Sequence, residues 1–262
     1  MDLGLKDKKC LVTGGCNGIG AAITKNLLDE GCKVVATTRT KFSGEKFKDS
    51  LEDSRKQNFS YQIAELSNIE SINTFINKII FEFDILVNNA GHDLKVKNPR
   101  CSIEEWNQLL TLNFLSSISI VNSVTPYMKQ KRWGRIVNIT SCAGLENSGA
   151  VPYTCAKAAL TAYTRSMGRV LAMESPGLVM TAVYPGVIKT PGGHWERILE
   201  DNPDHAKNYL KTRCPLGRFG EIDEFVPAVI FFCSERASFA HGSIVGIDGG
   251  QSKHFLNNNY EP

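Results

Sequence analysis

The chain has 262 residues, is 42% hydrophobic and 22% charged, and carries a formal charge of +3, the profile of a globular protein with a sizeable core. Its lysines and arginines are interspersed with acids rather than gathered in one run, so no nucleic-acid partner is expected. Apolar stretches such as VPAVIFF fall far short of the roughly 20 residues that cross a bilayer, and MDLGLKDKK lacks the apolar core of a secretory signal, so no membrane partner and a cytoplasmic location are expected.

In chain order, KKCLVTG (8–14) reads as a first strand and IGAAITKNLLDEG (19–31) as a helix stopped by Gly31. KVVATT (33–38) is a second strand and FSYQIA (59–64) a weaker third. IESINTFINKIIFEF (69–83) has helical spacing and leads into the strand DILVNN (84–89). The run 102–131 reads as a long helix, opened by a capping box of Ser102 and Glu105. GRIVNITS (134–141) is a fifth strand, 151–174 a second long helix, and LVMTAVYPG (178–186) a sixth strand. After a polar loop-and-helix region, EIDEFVPAVIFFCSE (221–235) is helical and GSIVGIDGG (242–250) holds a seventh strand.

Strand–helix alternation of this kind implies an α/β fold with a parallel sheet covered on both faces. The strands are apolar throughout rather than alternating, as strands buried on both sides are. No linker or repeat divides the chain, so residues 1–262 are read as one doubly wound domain, with 191–217 as a substrate lid. The tail HFLNNNYEP (254–262) is polar and is expected to be loosely ordered. The eight cysteines show no CxxC clip and no zinc spacing, so they read as free thiols and no metal is expected.

The first strand runs into TGGCNGIG, where Gly14, Gly18 and Gly20 are spaced G-x-x-x-G-x-G. Between a strand and a helix start, glycines let the backbone approach a ligand, and free N–H groups with the helix dipole favour a pyrophosphate. The second strand ends in ATTRT. Thr38 and Arg39 stand where a carboxylate would hold the ribose of NAD; a cation with hydroxyl neighbours suits a 2′-phosphate instead. NADP is therefore the preferred cofactor and NAD the alternative, unless Arg39 is merely a solvated charge.

Two tyrosines precede a lysine by four residues, about one helical turn: Tyr153 with Lys157 in YTCAK, and Tyr127 with Lys131 in YMKQK. A lysine cation beside a phenol favours phenolate and brings its pKa down from roughly 10 towards the range of efficient proton transfer. Tyr127 follows Pro126 at a helix end rich in Lys129, Lys131 and Arg132, a surface setting suited to the dipole.

Taken together, TGGCNGIG, NNAG (88–91), NITS, YTCAK, YPGVIKT and GIDGG resemble the short-chain dehydrogenase/reductase family across nearly the whole chain. The resemblance implies a Rossmann-type fold with seven parallel strands, a nicotinamide cofactor, and dimers or tetramers built through the two long helices. It implies a catalytic set of Ser141, Tyr153 and Lys157 extended by Asn113, which in the family holds a helix kink. Thr140 also carries a hydroxyl beside Ser141. Tyr153 would exchange the proton, Ser141 bond the substrate oxygen, and Lys157 bind the nicotinamide ribose as well. The implied cofactor contacts begin with Gly14, Asn17, Gly18, Ile19 and Gly20 at the phosphates and Thr38 and Arg39 at the ribose. They continue through Glu65, Leu66, Asn88, Ala90 and Gly91 on the adenine side, and Pro185, Gly186, Ile188 and Thr190 at the nicotinamide. Glu65 departs from the family's usual aspartate and Thr181 from its common asparagine.

The substrate set is Ser141 and Tyr153 with His92, Glu146, His194 and Trp195 around the lid and the wall LENSGA (145–150), where Glu146 and Asn147 are polar. Arg197 and His205 on the lid are further candidates for contacting a hydroxylated or anionic substrate. Trp195 offers a ring-stacking surface or packs its own helix. The function implied is NADPH-dependent reduction of a ketone, in the manner of a 3-oxoacyl-carrier-protein reductase. A sugar or sugar-derivative oxidoreductase is the alternative, and a non-catalytic dinucleotide sensor the reading from another class.

Overall fold

Strand β1 (Lys9–Val12) buries three of its four residues, and every later strand joins it in parallel. In the computed structural model, which describes residues 1–146 and 148–253, these are β2 (Lys33–Thr38), β3 (Phe59–Ile63), β4 (Ile85–Asn88), β5 (Gly134–Ile139), β6 (Leu178–Pro185) and β7 (Ile244–Ile247). Their spatial order is β3-β2-β1-β4-β5-β6-β7. The winding direction reverses between β1 and β4, which opens a crevice at the carboxyl ends of those strands. The expectation for 254–262, and that for Asn147 in the pocket wall, fall outside the described residues.

The helices are α1 (Gly18–Asp29), α2 (Lys41–Asp49), α3 (Asp53–Lys56), α4 (Ile69–Lys78), α5 (Ile103–Leu110), α6 (Ser116–Lys131), α7 (Val151–Glu174), α8 (His194–Asp201), α9 (Pro203–Arg213) and α10 (Ile222–Cys233). Successive strand residues point to opposite faces, and the core divides accordingly. Val12, Val87 and Val137 pack with Ile23, Leu27, Phe225 and Val229 on the α1 and α10 side. Leu11, Leu86 and Ile136 pack with Ile120, Val124 and Leu171 on the other. Both faces of each central strand are buried, which is why its sequence is mostly apolar without alternation, and why the asparagines in β4 and β5 need partners.

Three departures from the sequence reading have local causes. The 69–83 pattern ends as helix at Lys78; Phe81 then turns back edge-on to Phe75 and Phe83 at centroid distances of 5.7 and 6.1 Å. The periodicity there marks an aromatic cluster instead of another helical turn. Helices α2 and α3 occupy 41–56, where no element was assigned; Thr40 starts α2 by accepting a hydrogen bond from the Ser43 N–H. The long run 102–131 has its capping box at Ser102 and Glu105 but passes through a π-turn at Thr111–Leu115. The whole of Ile103–Lys131, 29 residues, is long and apolar enough by composition to cross a membrane, although it contains no single long apolar run. Some 56% of its apolar window is buried in the fold, where Ile120, Val121, Val124 and Met128 pack under the sheet.

One buried polar chain ties the sheet to α7. Asn88 donates its amide to the Asn138 side-chain oxygen at 2.8 Å, Asn138 donates to the Thr164 hydroxyl at 2.8 Å, and Thr164 donates to the Leu160 carbonyl at 2.7 Å. All three side chains are buried, so removing the middle one strands a donor and an acceptor. Asn138→Ala is expected to destabilise by about 2–4 kcal/mol and lower Tm by roughly 5–12 °C. Calorimetry checks it, and an unchanged melting point would show that the chain contributes nothing.

Candidate active site

The turn after β1 is held open from beneath. The Thr13 hydroxyl accepts the N–H groups of Asn89 and Ala90 at 2.9 and 3.0 Å, and the Asn89 amide donates to the Thr13 and Gly14 carbonyls. Gly14 and Gly18 take φ of +62° and +51°, values that favour glycine. At Gly20 a Cβ would be driven into the Gly14 carbonyl and the Asn89 amide, whereas at Gly18 nothing lies within 4 Å. Asn17 starts α1 without a side-chain cap, and its first turn holds no acid. The result is an open, uncapped helix start that fits a dinucleotide pyrophosphate.

This turn forms one end of a cleft of about 700 Å³. Thr38, Arg39, Glu65 and Leu66 line its outer corner; Ala90, Gly91, Ser141, Tyr153, Lys157, Pro185 and Thr190 line its inner part; His92 and His194 stand at the mouth. Glu65 accepts hydrogen bonds from the Ser67 N–H and hydroxyl at 3.0 and 2.8 Å.

Ser141 follows β5 and caps a short 3₁₀ turn by accepting the Ala143 N–H at 3.1 Å. Tyr153 and Lys157 sit in the first two turns of α7. The Lys157 ammonium donates to the Ile139 carbonyl at 2.9 Å and lies 5.8 Å from the centre of the Tyr153 ring. Gly91 packs over it: a Cβ there would lie 2.7 Å from Asn113 Oδ1 and 2.8 Å from Lys157 Nζ. Asn113, within the π-turn, accepts the His92 N–H at 3.0 Å and donates to the carbonyls of His92 and Leu109 at 2.9 and 3.0 Å. It thus pins the loop bearing Gly91 to the kinked helix.

The electrostatics differ from the sequence expectation. Burial pushes the Tyr153 phenol up to about 12; a hydrogen bond with Ser141 opposes the shift and the Asp93 charge adds to it. Burial also brings Lys157 down to about 8 from 10.5. The protein alone does not draw the phenol towards neutrality, because desolvation penalises both charged forms. At neutral pH it presents a protonated phenol beside an ammonium.

Several expected contacts lie elsewhere. Asn88 is buried below the cleft in the Asn138 chain. Gly186 packs against the Asp248 backbone. Ile188 lines a separate small cavity with Cys214 and Gly220. Glu146 borders a third cavity with Arg213 and Gln251, where it accepts the Lys253 N–H at 2.6 Å; the turn after Ser141 directs it away from the cleft. Trp195 packs on Tyr209 and Phe219 at 4.5 and 5.2 Å, which takes its ring out of the cleft wall. Tyr127 and Lys131 meet at the end of α6, 5.5 Å between ammonium and ring, away from the cleft. Sequence reasoning missed Asn89 and Lys46 on the cleft wall. Asn89 was visible as the second asparagine of NNAG; Lys46 gave no signal because the direction of α2 was unknown.

The family model for short chain dehydrogenases matches residues 8–197, and the chain belongs to that family of oxidoreductases. It is 35% identical over 257 residues to the 3-oxoacyl-[acyl-carrier-protein] reductase of Aquifex aeolicus, covering 95% of this chain and 99% of the relative. Among solved structures it is similar to L-sorbose reductase from Gluconobacter frateurii complexed with NADPH and L-sorbose (TM-score 0.85, 26% identity, 97% and 99% of the two chains). It is also similar to a 3-oxoacyl (acyl-carrier-protein) reductase from Agrobacterium tumefaciens with NADP bound (TM-score 0.83, 26% identity, 95% of each chain).

Since no side chain fits at Gly20 without opening the turn, Gly20→Ala should weaken NADPH binding at least 30-fold while circular dichroism remains native. Fluorescence titration reads the affinity; wild-type binding would show that the turn is not the phosphate cradle.

Proposed function

We propose that this protein is an NADPH-dependent reductase of a ketone, reversible towards the secondary alcohol. The observation that carries the reading is a half-buried, protonated Tyr153 within hydrogen-bond reach of Ser141 and backed by the Lys157 ammonium, all on the wall of a cleft that ends in an uncapped glycine turn. When bound, the nicotinamide supplies the hydride. Tyr153 holds the proton that the carbonyl oxygen needs, and a phenol at about 12 remains protonated until the oxygen becomes an alkoxide. Ser141 orients that oxygen towards the phenol. Lys157 stabilises the phenolate left behind, and the Ile139 carbonyl fixes where its charge sits.

The outer corner suits NADPH. Thr38, Arg39 and Lys46 line it, and two cations beside a hydroxyl match a 2′-phosphate dianion. Glu45, the nearest acid on α2, accepts a hydrogen bond from the Tyr61 hydroxyl at 2.6 Å and is not on the cleft wall. The NADP- and NADPH-bound relatives support the same preference.

We read the chain as one dinucleotide-binding domain with 191–217, carrying α8 and α9, as its lid. The substrate is a small carbonyl compound, either a 3-oxoacyl thioester, as the names of the curated relatives suggest, or a sugar derivative, which the histidine-lined mouth favours. Exposed Ile103, Leu115 and Val151 support pairing of copies through the long helices as a homodimer or homotetramer, and we place the protein in the cytoplasm.

Tyr153→Phe should lower kcat at least 10³-fold with NADPH affinity within threefold of wild type; normal turnover by that variant would refute the acid role. The Lys157 ammonium is present below its folded value of about 8 and lost above it, while the phenol stays protonated. The kcat/KM for reduction is therefore expected to be level up to about pH 7.5 and to fall above pH 8. Lys157→Met should be slow at every pH and lack that fall. For the cofactor, combining Arg39→Ala with Lys46→Ala should raise the Kd of NADPH at least 20-fold and that of NADH less than threefold, which equilibrium titration would measure.

A further inference from the structure

We propose that the substrate bears an anionic group, a carboxylate or a phosphate, held at the mouth of the cleft by the guanidinium of Arg197. This rests on the reading of Tyr153 as the proton donor to a carbonyl. Arg197 lies on α8 and lines the cleft together with His92, His194, Ser141 and Tyr153. Its Nε donates to the Gly193 carbonyl at 3.2 Å, which ties the base of the guanidinium to the start of α8 and leaves its outer nitrogens as the forked donor that carboxylates and phosphates match.

The charges around it are mostly cationic, with Asp93 the exception. Among the described residues that line the cleft the only carboxylate is Glu65, at the adenine end and bonded to Ser67. Glu196, next to Arg197 in the chain, accepts the Gly192 N–H and is not on the cleft wall. Asp93 lies beside the mouth, 3.0 Å from His92 Nδ1, and accepts the Lys95 N–H at 3.0 Å. At His194 the Asp93 charge acts against the cations, and Arg197, Lys97 and His205 act together on the other side. Arg197 is exposed at the cleft mouth, and a cation placed there without a fixed carboxylate partner favours an anion supplied by the ligand. The other handle the segment offered, the Trp195 ring, is spent on Tyr209 and Phe219, so α8 contributes charge to the mouth instead of a flat apolar face.

The test compares, with NADPH, four carbonyls: a neutral ketohexose, the corresponding keto-acid, a ketohexose phosphate, and a short neutral 3-oxoacyl thioester. At least one anionic compound should exceed both neutral ones tenfold or more in kcat/KM, and which one does distinguishes carboxylate from phosphate. Arg197→Ala, checked for native circular dichroism, should reduce the anionic-over-neutral ratio at least tenfold, and Arg197→Lys should recover part of it. Raising the ionic strength should depress the anionic rate selectively. Turnover confined to the neutral carbonyls, or a ratio unmoved in Arg197→Ala, overturns the anion proposal and leaves the reductase reading intact. Turnover of none of the four overturns both.

Discussion

A lysine ammonium that is 3% exposed must be given a fixed acceptor, and here it is the Ile139 carbonyl at 2.9 Å. That single bond dictates much of the architecture around it. The carbonyl is available because β5 ends there and its last oxygen is released from the sheet. Lys157 reaches it because Gly144 lets the chain after β5 run against the α7 backbone: a Cβ at that position would lie 2.7 Å from the Lys157 carbonyl carbon. Gly91 closes the other side, and Asn113 holds the Gly91 loop through both hydrogen bonds to the His92 backbone. The π-turn at Thr111–Leu115 belongs to the same constraint, for it places Asn113 where it can grip a loop that a regular helix would not meet.

The cleft divides its charges by position. Cations line both ends, Arg39 and Lys46 at one and Arg197 at the other, with Lys157 in the middle. Its one carboxylate among the described residues, Glu65, is engaged by Ser67. Within the inner part, burial works against ionisation of both partners, so the resting pair is a neutral phenol and an ammonium that burial has weakened. That state is matched to giving a proton. Running the reaction towards oxidation needs the phenolate, which a positive nicotinamide ring would favour and the protein by itself does not.

The sheet was legible because strands buried on both faces leave the same mark in every parallel fold, an apolar run without alternation. Val12 and Leu11 face opposite cores, and the asparagines that β4 and β5 do carry, Asn88 and Asn138, are hydrogen-bonded to each other. The proposed catalytic pair was legible for a different reason. Tyr153 and Lys157 are one helical turn apart, so their proximity is a local property of α7, and the family resemblance separated them from Tyr127 and Lys131. By contrast, Phe81 and Phe83 kept helical spacing while leaving the helix, because packing against Phe75 serves the same hydrophobic requirement as another turn.

The sequence by itself determined the doubly wound class, through strand–helix alternation along the whole chain, and the glycine turn and the one-turn spacing of Tyr153 and Lys157, each encoded within a few residues. Ser141 joined them only through the family resemblance. Only the tertiary structure decided that Lys46 and Arg197 line the cleft and that Trp195 and Glu146 do not. It also decided that Tyr153 rests protonated. Those outcomes depend on how α2 and α8 are rotated against the sheet and on how much water is excluded, and such long-range packing leaves no periodic trace in the chain.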